Sequence, residues 1–211
     1  MRKTVMTLMI LLVAASGAFA KDEMQARVDA LKQGLGKQVG QERRPAAGGR
    51  AWDFEKGSVF WSDKSGARLV SGNVLKKYKE IGAEGGDLGY PVTDERPAAE
   101  GVQQTFEHGF ITANRTGDTS VEILAGVNIT EGSLVVTGTN PPILGIDNDG
   151  TLFVRGDGNV EAVLRCSCVK AKDQKFSTRG SCLAQVQGDT ATCVPAPACE
   201  GGSCAFEIID K

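Results

Sequence analysis

Apolar positions recur at three- and four-residue steps in two parts of this chain. Met24, Val28, Leu31 and Leu35 form the first stripe, which predicts a short amphipathic helix ending near Gly36. Val74, Leu75, Tyr78 and Ile81 form the second and predict a helix over Asn73–Ile81, with Gly82 at its C-terminal cap. The first stripe is expected to lie on the main body, weak pairing with a second copy of the chain or attachment to a membrane surface being the alternatives. Between the helices, Gln41 to Arg50 (QERRPAAGGR) is polar and rich in Pro and Gly and reads as a linker. GSVFWS (57–62) predicts an aromatic strand followed by a turn at Lys64-Ser65-Gly66, and TFEHGFITA (105–113) a second apolar strand.

From Val121 the period falls to two. VEILAGVNIT, SLVVTG, TLFVRG and VEAVLRCSC read as strands, with a hairpin tip at Gly156-Asp157-Gly158-Asn159. CLAQVQ and TATCV flank a second hairpin at Gly188-Asp189, and CAFEII closes the chain. The tail is therefore expected to be all-β.

The loop GDLGYPVTDE (86–95) asks for a local explanation. Gly89 permits a positive φ, Pro91 fixes its own φ and holds Tyr90 extended, and Leu88 and Tyr90 can then drop onto the second helix. The expected role of the loop is to pin that helix to the strands.

The first twenty residues have the form of an export signal. Arg2 and Lys3 precede an apolar run over Val5–Ala15, and Ala18-Phe19-Ala20 offers small residues to a peptidase. The run is too short to span a bilayer, so the mature chain is expected in the periplasm, the cell envelope or the medium. Removing the leader leaves 22 Lys and Arg against 26 Asp and Glu, a net charge of −4 without a basic block. Nucleic acid is thus disfavoured as a partner.

All six cysteines, Cys166, Cys168, Cys182, Cys193, Cys199 and Cys204, lie in the tail. In an exported chain they read as three disulfides with fifteen possible pairings. Cys166 and Cys168 share one face of a strand, so each is expected to pair with a distant partner. There is no Cys-x-x-Cys and no histidine nearby, which argues against zinc and thioredoxin-like chemistry.

Other candidate chemistry is sparse. His108 is the only histidine and no nucleophile motif accompanies it, so no catalytic residue is assigned. Asp147-Asn148-Asp149-Gly150 lacks the later ligands of a calcium loop and reads as a turn. Asn114 and Asn128 head sequon-like triplets that carry no weight, and Asp94, Glu95, Glu100 and Glu107 are expected to be solvated charges rather than a glycosidase pair. No cofactor or metal is implied. Trp61, Tyr90 and Phe106 could stack on sugar rings or form the module's own core.

Taken together, Gly57-Ser58-Val59-Phe60-Trp61-Ser62, Gly66-Ala67, the helix with Gly72 and Leu75, Leu88-Gly89-Tyr90-Pro91, Thr93-Asp94-Glu95, and Phe106-Glu107-His108-Gly109 resemble the LGFP repeat, a module of exported bacterial proteins usually found in tandem. Tyr90 replaces the Phe of the family's signature. The resemblance covers about a quarter of the chain and is counted as one copy. A second copy starting at Gly109, 52 residues after Gly57, fails because Ala113 stands where Trp61 would recur and no second helix follows. A lone unit is expected to lean on its neighbours or on another chain.

The resulting expectation is an α+β protein: a signal peptide (1–20), a helix and linker (21–50), a strand-helix-loop-strand module (51–118) and a disulfide-rich β domain (119–211). The resemblance implies a non-catalytic envelope protein that binds cell-wall polysaccharide. Trp61, Asp63, Arg68, Tyr90, Asp94, Glu95 and His108 are its candidate contacts, with Gly57, Leu88, Gly89, Tyr90, Pro91 and Gly109 as its frame. The alternatives are a secreted protein-binding factor or inhibitor acting through the cysteine-rich tail, and a hydrolase with an unrecognised site.

Overall fold

The computed structural model describes residues 25–45, 48–99, 101–157, 159–169, 182–199 and 203–210. The expected export signal and Met24 lie outside them. The fold is mostly β, with four sheets. Helix α1 (residues 25–31) precedes a three-stranded antiparallel sheet of β1 (Arg50–Phe54), β2 (Gly57–Ser62) and β3 (Gly66–Ser71), followed by α2 (Gly72–Glu80). A second antiparallel sheet contains β4 (Arg96–Ala98), β5 (Gly101–Phe106), β6 (Gly109–Asn114) and β7 (Thr119–Ile123) in that order.

The tail is a pair of four-stranded sheets. One joins β10 (Ile143–Ile146), β11 (Leu152–Gly156), β12 (Asn159–Val169) and β15 (Ser203–Asp210); the other joins β13 (Cys182–Gln187), β14 (Thr190–Pro195), β9 (Ser133–Val136) and β8 (Val127–Thr130). Both expected hairpins form, with Gly156 opposite Asn159 and Gln187 opposite Thr190. The expected run VEILAGVNIT is instead divided, because the chain turns at Ala125-Gly126 and passes from one sheet to another.

The first sheet is buried on both faces, which explains why GSVFWS is apolar almost throughout. Ala51, Phe60 and Val70 face a core with Val74 and Tyr78 of α2 and Phe106 and Ile111 of the second sheet. Trp52, Phe54, Val59 and Ala67 face the other way, where Val28, Leu31 and Leu35 pack on them. The stripe that could have paired with another chain is thus covered by the protein itself, and Val28 is only 2 % exposed. The expected linker is also structured in part: Arg43 exchanges backbone hydrogen bonds with Ala51 at 2.8 and 3.0 Å, extending the sheet beyond β1.

The second sheet faces two ways by strand alternation. Val102, Gln104 and Phe106 turn toward the first sheet, and the Gln104 amide donates to the carbonyls of Leu69 and Thr93 at 2.9 and 2.7 Å. Gln103 and Thr105 turn toward the tail. The Gln103 side-chain amide accepts from Ile208 N at 3.0 Å and donates to Ile208 O at 3.1 Å, standing in for a neighbouring strand at the free edge of β15. The Thr105 hydroxyl and Arg96 Nη2 both donate to Phe206 O, and burial lowers the Arg96 pKa to about 10, Glu207 opposing the fall. Phe110 of β6 completes the contact by entering the core of the tail.

Three disulfides lie in that core: Cys166–Cys193, Cys168–Cys199 and Cys182–Cys204. As expected, Cys166 and Cys168 each take a distant partner, 27 and 31 positions away. Cys166–Cys193 and Cys182–Cys204 join one sheet of the tail to the other.

Candidate functional site

The Leu-Gly pair of the 86–95 loop has a structural twin. Leu35-Gly36-Lys37 and Leu88-Gly89-Tyr90 both place the glycine at positive φ, +82° and +68°. Lys37 N donates to Glu55 Oε2 at 3.1 Å, and Tyr90 N donates to Glu107 Oε2 at 3.0 Å. The same glutamates close each turn through their backbones, Glu55 N to Lys37 O at 3.1 Å and Glu107 N to Tyr90 O at 3.0 Å. Lys56 N reaches Leu35 O as His108 N reaches Leu88 O. The positive φ favours glycine at both positions, and a Cβ at Gly36 or Gly89 would stand 2.3 or 2.5 Å from the clamping carboxylate oxygen, so the glutamate would have to move out of the clamp.

The rest of the unit repeats as well. Val39 N donates to Asp53 O and Val92 N to Thr105 O, both at 2.8 Å, and Gln38 and Pro91 bridge Phe54 and Phe106 respectively. Residues 35–86 match the LGFP repeat family model, and residues 88–125 match it again. This stretch is a pair of LGFP repeats. The count of one copy is therefore corrected to two, and the second copy starts at Leu88 rather than Gly109. No curated protein matches the chain. LGFP repeats occur in cell-envelope proteins, and among the described residues no helix is long and apolar enough to cross a membrane.

The LGFP pair places the candidate contact residues unequally. Tyr90 is 3 % exposed and belongs to the core, its ring packed so closely on Gly49 that a Cβ there would lie 2.3 Å from it. Tyr78 anchors the same loop by donating from its hydroxyl to Gly89 O at 2.7 Å, which bears out the pinning role expected for the loop. His108 Nδ1 lies 2.7 Å from Val127 O. Asp94 and Glu95 seal the open edge of β3: Asp94 Oδ1 accepts from Leu69 N at 2.9 Å, and Glu95 Oε1 accepts from Ser71 N and Oγ at 3.2 Å. Burial raises the Glu95 pKa against the Ser71 hydrogen bonds. Trp61 is half-buried on the α1 side of the first sheet.

What remains accessible is a charged rim where both LGFP copies, α1 and the tail converge. Asp63 and Lys64 project at the β2–β3 turn, Lys64 Nζ lies 3.5 Å from Glu107, and Arg68 pairs with Glu131 of the tail at 2.8 Å. Arg27 of α1 pairs with Asp94 at 3.0 Å. Sequence reasoning missed Glu55, Glu107, Glu131 and Arg27 as partners here. The available signal was the recurrence of Phe54-Glu55 as Phe106-Glu107 and of Arg44-Pro45-Ala46-Ala47 as Arg96-Pro97-Ala98-Ala99.

A second polar cluster inside the first copy is structural. Asp53 receives Ser58 Oγ at 2.5 Å, Lys79 at 2.9 Å and Arg43 Nε at 3.1 Å, while Arg43 also binds Glu84. Burial acts to raise the Asp53 pKa, but these donors outweigh it and hold the carboxyl below its ordinary value. The stabilisation from Asp53 is therefore present above the unfolded-state pKa of about 3.9 and is lost as pH falls through the lower folded value. Asp53→Asn is expected to flatten the acid limb of the Tm profile below about pH 4; parallel limbs for variant and parent would refute the assignment.

Proposed function

We propose that this is an exported, non-catalytic cell-envelope protein whose LGFP pair holds cell-wall polysaccharide at the charged rim around Asp63, Lys64 and Arg68. The observation that carries the reading is the tandem LGFP architecture, together with a rim at Asp63 and Lys64 that faces solvent. Mixed charges spaced along an edge suit a polymer bearing hydroxyl and charged substituents. The commitments of Asp94, Glu95, Glu107 and His108 to backbone groups support a non-catalytic role, because general acid–base work needs groups free to reach a substrate.

The test uses the whole mature chain, since a fragment starting at residue 51 would lack the first Leu-Gly turn. The parent is expected to sediment with isolated cell walls, and Asp63→Ala with Lys64→Ala to weaken that binding several-fold. Tm should hardly move, because Asp63 and Lys64 are exposed and the Lys64–Glu107 contact is long, at 3.5 Å. Unchanged sedimentation of the double variant would rule out the rim.

A further inference from the structure

The outward face of the β13–β14–β9–β8 sheet differs chemically from the rest of the surface. Strand alternation turns Cys182, Ala184, Ala191, Cys193 and Leu134 into the tail's core and leaves their neighbours outside. None of the outward positions on these four strands is Asp, Glu, Lys or Arg, in a chain with 24 % charged residues. They carry amides, hydroxyls and a few aliphatic groups instead. The opposite outer face of the tail, by contrast, carries Arg155, Arg165 and Glu207.

Gln185 and Gln187 lie opposite Thr192 and Thr190 across the hairpin. They line an open depression of about 740 Å³ together with Val186. Both glutamines are exposed, and among the described residues the side chains of these four make no hydrogen bond within the protein. The register continues this polar ladder through Ser133, opposite Thr192. Same-face positions recur about 7 Å apart along each strand and about 5 Å apart between strands. The result is a regular grid of groups that both donate and accept hydrogen bonds.

The geometry points to this face as a second binding surface, for an uncharged polyhydroxylated chain such as a neutral glycan. Sugar hydroxyls are both donors and acceptors, and primary amides and threonine hydroxyls match them in either role. An anionic polymer would find no cation in the grid. The aliphatic members, chiefly Leu183 and its partner Val194, stand at the end of the hairpin beyond Gln185 and leave the Gln–Thr ladder itself polar. The ladder shares no side chain with the charged rim, whose Glu131 lies two residues from Ser133.

The test is titration of the full mature chain, followed by NMR of the glutamine side-chain amides. Dextran oligomers, a soluble linear β-glucan and polygalacturonate serve as probes. At least one neutral glycan is expected to shift the Gln185 and Gln187 amide signals, with polygalacturonate leaving them in place. Gln185→Ala with Gln187→Ala should weaken binding of that glycan at least tenfold without altering binding to cell walls through the rim. Asp63→Ala with Lys64→Ala should leave the amide shifts intact. Absence of shifts with both neutral glycans, larger shifts with polygalacturonate, or full binding by the glutamine variant would each overturn the proposal.

Discussion

Replacing Cys166 and Cys193 together by Ala is expected to cost the full chain about 2–5 kcal/mol. The loss should be felt beyond the tail. This bridge joins the two sheets of the sandwich across a core that also receives Phe110 from the second LGFP copy. Gln103, Thr105 and Arg96 bind the backbone of β15 from the other side. Both tryptophans, Trp52 and Trp61, lie in the first copy, so their fluorescence reports on a part of the molecule outside the tail. In denaturant, the tryptophan and circular-dichroism transitions of the variant should shift together to lower concentration. If the circular-dichroism transition moves and the tryptophan transition stays, the repeats and the tail are energetically independent.

Gly89→Val is expected to be nearly as damaging, at about 2–4 kcal/mol. Part of this is the strain of a β-branched residue at φ +68°, about 1–3 kcal/mol. The rest is displacement of Glu107 Oε2, which accepts Tyr90 N and would stand 2.5 Å from the new Cβ. Gly40→Val isolates the first contribution, because Gly40 has φ +78° and open space around its Cα. Equal losses in the two variants would mean that the carboxylate clamp contributes nothing. Gly36→Val, at the twin turn, should behave like Gly89→Val.

The elements that could be read from the chain were those with local causes. Val74 and Tyr78 at helical spacing produced α2, and Gly82 at φ +100° closes it as a glycine cap should. Hairpin tips at Gly156-Asp157-Gly158-Asn159 and Gly188-Asp189 were equally local. The second repeat was hidden for two reasons. In the first copy, Lys37 and Gln38 replace the aromatic and proline of the signature, yet the turn survives because it depends on Gly36 and Glu55. In the second, β8 occupies the place in the chain where a helix would recur, since the segment is drawn into the tail's sheet by Val127 and Ile129. The candidate contacts suffered from a related ambiguity. A polar residue in a signature can serve a ligand or a strand edge, and only the Leu69 and Ser71 amides opposite Asp94 and Glu95 decide for the edge.

The placement of α1 and the tail determines whether this array can grow. Stacked repeats ordinarily leave a sticky face at each end, where another unit could add. Here Val28, Leu31 and Leu35 close the outer face of the first sheet, and the β15 edge with Phe206 closes the second. The two caps are unlike each other and neither offers the surface it covers. Among the described residues both outer faces of the repeat pair are thus covered, and lengthening it by one repeat would require new complementary surfaces at one of its caps.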